Sequence, residues 1–266
     1  LLKEIPYNAQ LLGGKAKVFQ YLSRDEELKK YIIPYDIVRT PDAALRFADA
    51  HERIVLKPVR GSQGRKAFSI ARVAHGDYEL VADHDTTIVS AAELKAKLEK
   101  ILDRNYIAQR YVASRTSAGM PYDIRVHTCR GKDAKWTIVK VYARCGIAKN
   151  LTSNLAGGGA SADAEDFLPS HFGPERGRRV YEKIHKLGQM LPERLQKLYD
   201  HPLNSLGIDI GVDADDAIYL FEVNSRPGSA GFYLEHAVPV VDYAIHVATA
   251  GKGRHGAEAD TARNVD

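Results

Sequence analysis

Apolar residues recur along this chain with two periods, and the switches between them mark out its elements. Between Lys15 and Lys30, Val18, Phe19, Leu22 and Leu28 stand among polar residues at helical spacing. That predicts a short amphipathic helix or a broken pair, ending by Pro34. Thr40-Pro41-Asp42 places a capping threonine before a proline at the first helical position. A helix is therefore expected through His51, with Ala44, Leu45, Phe47 and Ala48 on its buried side. Ser90 to Leu102 carries Glu93 three places after Ser90, a capping box. Arg178 to Tyr199 reads as the longest helical stretch and Val238 to Ala248 as the last one.

Strand-like runs fill the intervals. Ile54 to Val59 and Ala67 to Val73 flank the loop Arg60-Gly61-Ser62-Gln63-Gly64-Arg65, and together they read as a hairpin. Tyr106 to Val112, Asp123 to Thr128 and Trp136 to Cys145 are further strands, the last two alternating. Leu151 to Ser161, with Gly157-Gly158-Gly159, is a polar loop, and the tail from Gly251 to Asp266 is expected to fray. The final pair is Leu206-Gly207-Ile208-Asp209-Ile210-Gly211 and Ile218 to Asn224, joined by an Asp-Ala-Asp-Asp turn at 213–216. A hairpin there sets Asp209 beside Glu222 across the strands. Strict alternation puts Glu222 and Asn224 on one face and Phe221 and Val223 on the other.

This hairpin carries the chain's clearest chemistry. Three oxygen-bearing side chains, Asp209, Glu222 and Asn224, suit a hard cation such as magnesium, which is completed by water and substrate phosphates. The same carboxylates also suit an exposed acidic hairpin edge. The glycine loop at 60–65 is open between phosphate contact, because glycines admit backbone N–H groups at close range, and plain turn geometry. It matches neither a Walker loop nor a dinucleotide fingerprint, since no helix follows it.

Composition narrows the partners. At 266 residues, 44% hydrophobic and 27% charged, the chain has the make-up of a soluble globular protein of one large domain or two lobes. No apolar run approaches the roughly 20 residues that span a bilayer, and no signal-like segment opens the chain, so a cytoplasmic protein without a membrane partner is expected. The net charge of +4 is dispersed except at Arg176, Arg178 and Arg179, so nucleic acid is not an expected partner. Cys129 and Cys145 are isolated and read as buried thiols rather than a disulfide or zinc site. The histidines show no metal-ligand spacing, and no Ser-His-Asp or Cys-His arrangement stands out.

Several segments recur in a fixed order that resembles the ATP-grasp fold. They are Lys57 in Val-Leu-Lys-Pro, the glycine loop after it, Ile107-Ala108-Gln109-Arg110-Tyr111-Val112, Asp123-Ile124-Arg125, Ser153-Asn154-Leu155 with Gly157 to Gly159, and Asp209, Glu222 and Asn224. Within that fold the chain looks most like the YheC/YheD-like family associated with Bacillus spores, and more distantly like RimK-type ligases that add glutamate to peptide ends. The resemblance covers roughly residues 15 to 250. It implies an α+β fold in which two α/β lobes with mainly antiparallel sheets enclose a nucleotide cleft. The lobes would span 15–108 and 109–250, with a lead-in segment at 1–14 and a flexible tail at 251–266.

The resemblance also implies roles. Lys15 and Lys57 would reach the ATP phosphates from two sides of the cleft, each a compact charge on a flexible stem. The loop at 60–65, Ser62 included, would close over them. Backbone groups of Arg110 and Val112, within Gln109 to Val112, would read adenine while Tyr111 walls the ring. Asp123 falls where the family binds ribose, although the segment before it is longer than in RimK-type enzymes. Thr152, Ser153 and Asn154 match a nucleotide-contacting tripeptide whose first residue is arginine in RimK-type ligases; Arg144 and Arg125 are candidates for that cation. Asp209, Glu222 and Asn224 would hold magnesium or manganese, and Arg125, Arg144 and Asn224 would serve the reaction. Taken without the motif order, Lys15 and Lys57 read as surface lysines, Arg144 as an exposed strand residue and Tyr111 as core.

The implied chemistry is ATP-dependent joining of a carboxylate to an amine, an amino acid or peptide among the candidates, through an acyl phosphate. A kinase on the same fold and a non-catalytic spore-surface protein are the alternatives. Lys15 stands so near the start that the domain preceding the lobes in most ATP-grasp enzymes has no room. Either a partner chain supplies it, or the region from Ser161 to Leu203 binds the substrate, or this is part of a longer protein.

Overall fold

The computed structural model describes residues 11–59, 67–82, 85–102, 105–146, 159–225 and 227–261, with the backbone alone for 250–261. Two antiparallel sheets, each backed by its own helices and its own core, approach one another where Lys57 meets Phe221.

The first sheet has the order β1-β6-β2-β3-β4-β5, with β1 at Tyr35–Val38, β2 at Arg53–Pro58, β3 at Phe68–Arg72, β4 at Tyr78–Ala82, β5 at Asp85–Val89 and β6 at Tyr106–Arg110. Strands β2 and β3 pair directly, so the expected hairpin forms around the glycine loop. Helices α2 (Pro41–His51) and α3 (Ala91–Ile101) cover its back. Their ends are those the sequence implies: the Thr40 hydroxyl accepts from the Ala43 amide, and Ser90 and Glu93 form the reciprocal capping box. Side chains of even number on β2 and β6, Ile54, Leu56, Tyr106 and Ala108, fill this core with Leu45, Leu94 and Leu98. Strands β1, β4 and β5 were not anticipated. The first has four residues, and β5 is an edge strand exposed along all but Val89, so neither carries a strong apolar pattern.

The second sheet has the order β11-β10-β7-β8-β9. Its strands are β7 (Tyr122–Arg130), β8 (Trp136–Cys145), β9 (Ala160–Asp163), β10 (Ser205–Val212) and β11 (Ile218–Ser225). Helices α4 (Ala164–Phe172) and α5 (Pro174–Gln196) pack on its back. Gly188 brings α5 down onto the sheet, since a Cβ there would lie 2.7 Å from Val126 Cγ1. This packing bears on one expectation. Helices α4 and α5 of the region from Ser161 to Leu203 lie behind the sheet, their apolar face built into the core through Leu168, Ile184 and Leu191, whereas Ser161 and Asp163 stand on its edge strand beside Arg144 and Tyr142.

Two further helices flank this sheet. Helix α1 (Lys15–Leu22), followed by a tight turn at Leu28–Tyr31, is the broken pair the periodicity allowed, and it buries Val18, Leu22 and Leu28 in the second core. Helix α6 (Tyr233–Thr261) starts five residues earlier than expected and runs through most of the segment read as a frayed tail.

The β10–β11 hairpin pairs Asp209 with Glu222 as anticipated, and the Asp213 carboxylate ties its turn by accepting the Asp215 and Ala217 amides. The register shifts between Asp209 and Ile210, however, leaving Phe221 as the extra residue of a β-bulge. Strict alternation therefore fails at this point. Phe221 turns to the front with Glu222, and its ring lies on Gly211, where a Cβ would collide with it. Gly211→Ala should cost about 1–3 kcal/mol, as overpacking does. Urea denaturation checks this, and an unchanged midpoint would mean that Phe221 does not rest there.

Candidate active site

The front of the second sheet carries polar side chains in rows fixed by strand register. One row runs Tyr142, Arg125, Asp209, Glu222 across β8, β7, β10 and β11. To one side of it Arg144 faces Asp123; to the other lie Lys140, His127, Gly207 and Asn224. The pleat that sends Ile124, Val126, Ile208 and Ile210 into the core sends these forward.

Opposite charges alternate along this face. Arg125 grips Asp209 with two nitrogens, Nη2 reaching Oδ2 at 2.9 Å. Arg144 donates through Nε and Nη2 to the two oxygens of Asp123 at 2.7 and 2.6 Å, and its Nη2 also stands 3.0 Å from Asp209 Oδ2. Asp123, Arg125 and Asp209 are buried. Burial pushes the Asp209 carboxyl up, yet the guanidinium groups of Arg125 and Arg144 outweigh it and hold it below the usual carboxylate range. The reverse holds for Arg144: burial pulls it down, and Asp209 and Asp123 raise it further. Arg144 is thus a half-buried ion-pair residue, not the exposed strand residue of the plainer reading.

Gly207 makes the Arg125 geometry possible. A Cβ there would lie 2.8 Å from Pro227 Cβ and 3.0 Å from Arg125 Nη1, so the guanidinium lies flat where a side chain would stand. Beyond it His127 is fully buried, its ring edge-on to Phe232 and His236 and neither nitrogen bonded among the described residues. Burial, with the neighbouring His236 and Arg125, pushes its pKa down to about 3, so it is neutral.

Lysines close the cluster from the other side. Lys15, at the start of α1, meets Glu222 at 3.0 Å. Lys57, on the front of the first sheet, donates to Gln109 Oε1 at 3.1 Å and stands 5.7 Å from the centre of the Phe221 ring. The two sheets meet there. Burial pulls the Lys57 ammonium down, with Glu222 opposing and Lys15 adding to the fall.

The sequence thus brought together Lys15, Lys57, Gln109, Asp123, Arg125, Arg144, Asp209, Glu222 and Asn224. It missed Phe221, whose signal was the aromatic immediately before Glu222, hidden by the bulge. The hinge residues Arg110 to Val112 make other contacts. The Arg110 amide donates to the Pro34 carbonyl at 2.9 Å, so it is not free to read a base, and its guanidinium stacks on Tyr219 at 5.2 Å. The Tyr111 amide bonds Arg53 at 2.9 Å, and its hydroxyl accepts from Arg115 Nε at 2.9 Å. The Val112 carbonyl accepts from Ser114 at 2.9 Å. Asp123 accepts one bond from Arg144 on each oxygen, and a carboxylate so held keeps further acceptor capacity. Ser62, Thr152, Ser153 and Asn154 lie outside the described residues.

The donor set of Asp209, Glu222 and Asn224 is all oxygen, which fits a hard cation. Among the described residues, however, no three His, Cys, Asp or Glu side chains stand together to hold one. Both carboxylates already answer to protein cations. Four basic side chains, Lys15, Lys57, Arg125 and Arg144, face three carboxylates, Asp123, Asp209 and Glu222. The arrangement favours an anion, and a dication only in an anion's company.

Comparison with known proteins gives a consistent picture. A family model described as YheC/D like ATP-grasp matches residues 4–246. The endospore coat-associated protein YheD of Bacillus subtilis is 24% identical over 238 residues, covering 86% of this chain and 51% of that protein. Its companion YheC is 26% identical over 222 residues, covering 82% and 60%. The chain therefore spans only about half to three fifths of the curated relatives it matches. Among solved structures, D-cycloserine synthetase DcsG superposes with a TM-score of 0.54 at 14% identity, over 88% of this chain and 70% of that one. An N5-carboxyaminoimidazole synthetase from Staphylococcus aureus complexed with ADP gives 0.52 at 10% identity, over 88% and 51%. These likenesses establish the fold.

The ion pairs predict an asymmetry in stability. Asp209→Asn strips Arg125 of its buried partner and should cost about 3–5 kcal/mol without nucleotide or metal. Glu222→Gln breaks a more exposed pair and should cost about 0–1 kcal/mol. Chemical denaturation of the two variants checks this; equal losses would contradict it. Because the folded Asp209 carboxyl lies below its unfolded value, its contribution is present above pH of about 4 and fades as pH falls through the lower folded value.

Proposed function

The chain belongs to the YheC/D-like ATP-grasp family, and from that premise we propose that it binds magnesium-ATP between its two sheets and uses it to join a carboxylate to an amine. The observation that carries this reading is the cluster of Lys15, Lys57, Arg125 and Arg144 closing around Asp209 and Glu222 at the meeting of the sheets. Fixed cations aimed at one spot are what phosphoryl transfer requires, since catalysis there is mostly positioning and charge stabilisation.

Each residue then has a task. Lys57 and Lys15 bind phosphate oxygens, Lys15 exchanging Glu222 for the nucleotide. Arg144 and Arg125 steady charge on the transferring group and on the tetrahedral intermediate. Asp123 and Asp209 keep the guanidinium groups flat on the sheet. Phe221 offers a ring face beside Lys57 for the base. Glu222, Asn224 and Asp209 would hold magnesium, which when bound would offset the charge of the phosphates.

The reaction proceeds in two transfers. A substrate carboxylate oxygen attacks the γ-phosphorus, the bond to the bridging oxygen breaks, and ADP departs, leaving an acyl phosphate. The amine nitrogen then attacks the acyl carbon, inorganic phosphate leaves with the carbon–oxygen bond electrons, and the nitrogen loses a proton as the amide forms. No protein nucleophile is needed, in keeping with the neutral, packed His127 and the buried Cys129, whose thiol burial pushes up. Association with the spore coat, named for the two Bacillus relatives, belongs to the same proposal. Among the described residues no helix is long and apolar enough to cross a membrane.

Two measurements test this. Amino acids and short peptides screened with ATP should release ADP together with an amide product; a stable phosphate ester instead would mean an alcohol acceptor and overturn the ligase reading. ATP affinity measured by calorimetry across a pH series should fall as pH rises through the lowered Lys57 value, because only the ammonium form attracts phosphate. Lys57→Met should abolish that pH dependence.

A further inference from the structure

Helix α6 uses one face against its own protein and leaves another uncovered. Phe232, just before it, and Tyr243 are buried against the front of the second sheet, and the loop at Gly131 meets Pro239. On the opposite side Leu234, Val238, Val241 and Ile245 are exposed by 82%, 65%, 55% and 56%. Their spacing of four, three and four is that of a coiled-coil seam. Ala237, Ala244 and Ala248 are exposed beside them, and Tyr233 extends the patch. Between Tyr233 and Ala248 the only acidic or basic side chains besides histidine are Glu235 and Asp242, both on the border towards Pro239. A solvent-facing helix normally carries charge on this side.

We propose that this seam pairs with the same seam of a second copy, antiparallel about a two-fold axis that sets Val238 against Val241 of the other chain. Two arguments select this occupant. In area, side chains of this size bury on the order of 100 Å² each. The seam with Tyr233 therefore offers on the order of 500 Å² per copy and 1,000 Å² per pair, at the threshold for a specific interface. In symmetry, an isologous contact needs a patch complementary to itself, and an unbroken apolar stripe is that. Orientation follows from the flanks. An antiparallel pair sets alanines against alanines, so the helices approach closely, and leaves Glu235 and Asp242 outside near the exposed Lys132 and Lys135 of the loop at Gly131. A parallel pair would press those carboxylates against alanines. The same helix holds Phe232 and His236 over His127 at the end of the polar face, so pairing would brace the cleft from outside.

Sedimentation velocity of the full chain across a micromolar concentration series tests this directly. A shift from 29.4 kDa towards twice that mass is expected, reversed in Val238→Glu with an unchanged melting temperature. The paired substitution V238C/V241C should form inter-chain disulfides under mild oxidation, giving a dimer on non-reducing gels. A monomer at every concentration overturns the proposal, as does a dimer that survives Val238→Glu or fails to cross-link. Both readouts are independent of ATP binding, so they stand or fall apart from the enzymatic reading.

Discussion

Two carboxylates and two guanidinium groups sit side by side on a sheet, in the order Asp123, Arg144, Asp209, Arg125, and the cleft depends on that sequence of charges. Each ion would be costly to bury alone, and each is tolerated because its neighbour has the opposite sign and a geometry that bonds two atoms at once. Arginine suits the place because its planar fork can share itself between two carboxylates, as Arg144 does. The rest of the local sequence serves this arrangement. Strand register aligns the four residues, Gly207 leaves room for a guanidinium to lie flat, and the apolar alternation of β7 and β10 anchors the rows from behind.

A network balanced in this way has a consequence for ligands. A bare dication finds carboxylates already neutralised and an excess of positive charge around them. A triphosphate finds Lys15, Lys57 and two arginines within a small region, and by drawing on these cations it frees carboxylate oxygens. Anion and metal therefore belong together in this cleft. Lys57 adds to the coupling, since burial pulls its ammonium down and a phosphate beside it would favour the charged form.

Much of this was legible in the residues. The capping signals of α2 and α3, the hairpins at 54–73 and 206–225, and the pairing of Asp209 with Glu222 all follow from local pattern, because caps, turns and alternation act over a few positions. What the sequence hid was of two kinds. The bulge at Phe221 shifts a single residue across the sheet, and no periodicity encodes it. The ion pairs join strands 84 residues apart for Arg125 with Asp209 and 21 apart for Arg144 with Asp123, so residue type alone could not say which acid each arginine holds. Arg110 shows the same limit: its amide is consumed by Pro34, a partner set by how β1 lies against β6. The short edge strands β1 and β5 escaped because an edge strand carries little apolar signal.

Metal and nucleotide should enter this site only as a pair. Titration of the protein with Mn2+, followed by electron paramagnetic resonance, measures this directly when run with and without a non-hydrolysable ATP analogue. No saturable Mn2+ binding to the protein alone is expected, and stoichiometric binding to its nucleotide complex, lost in Glu222→Gln. Saturable binding of Mn2+ without nucleotide, unaffected by the analogue, would contradict it.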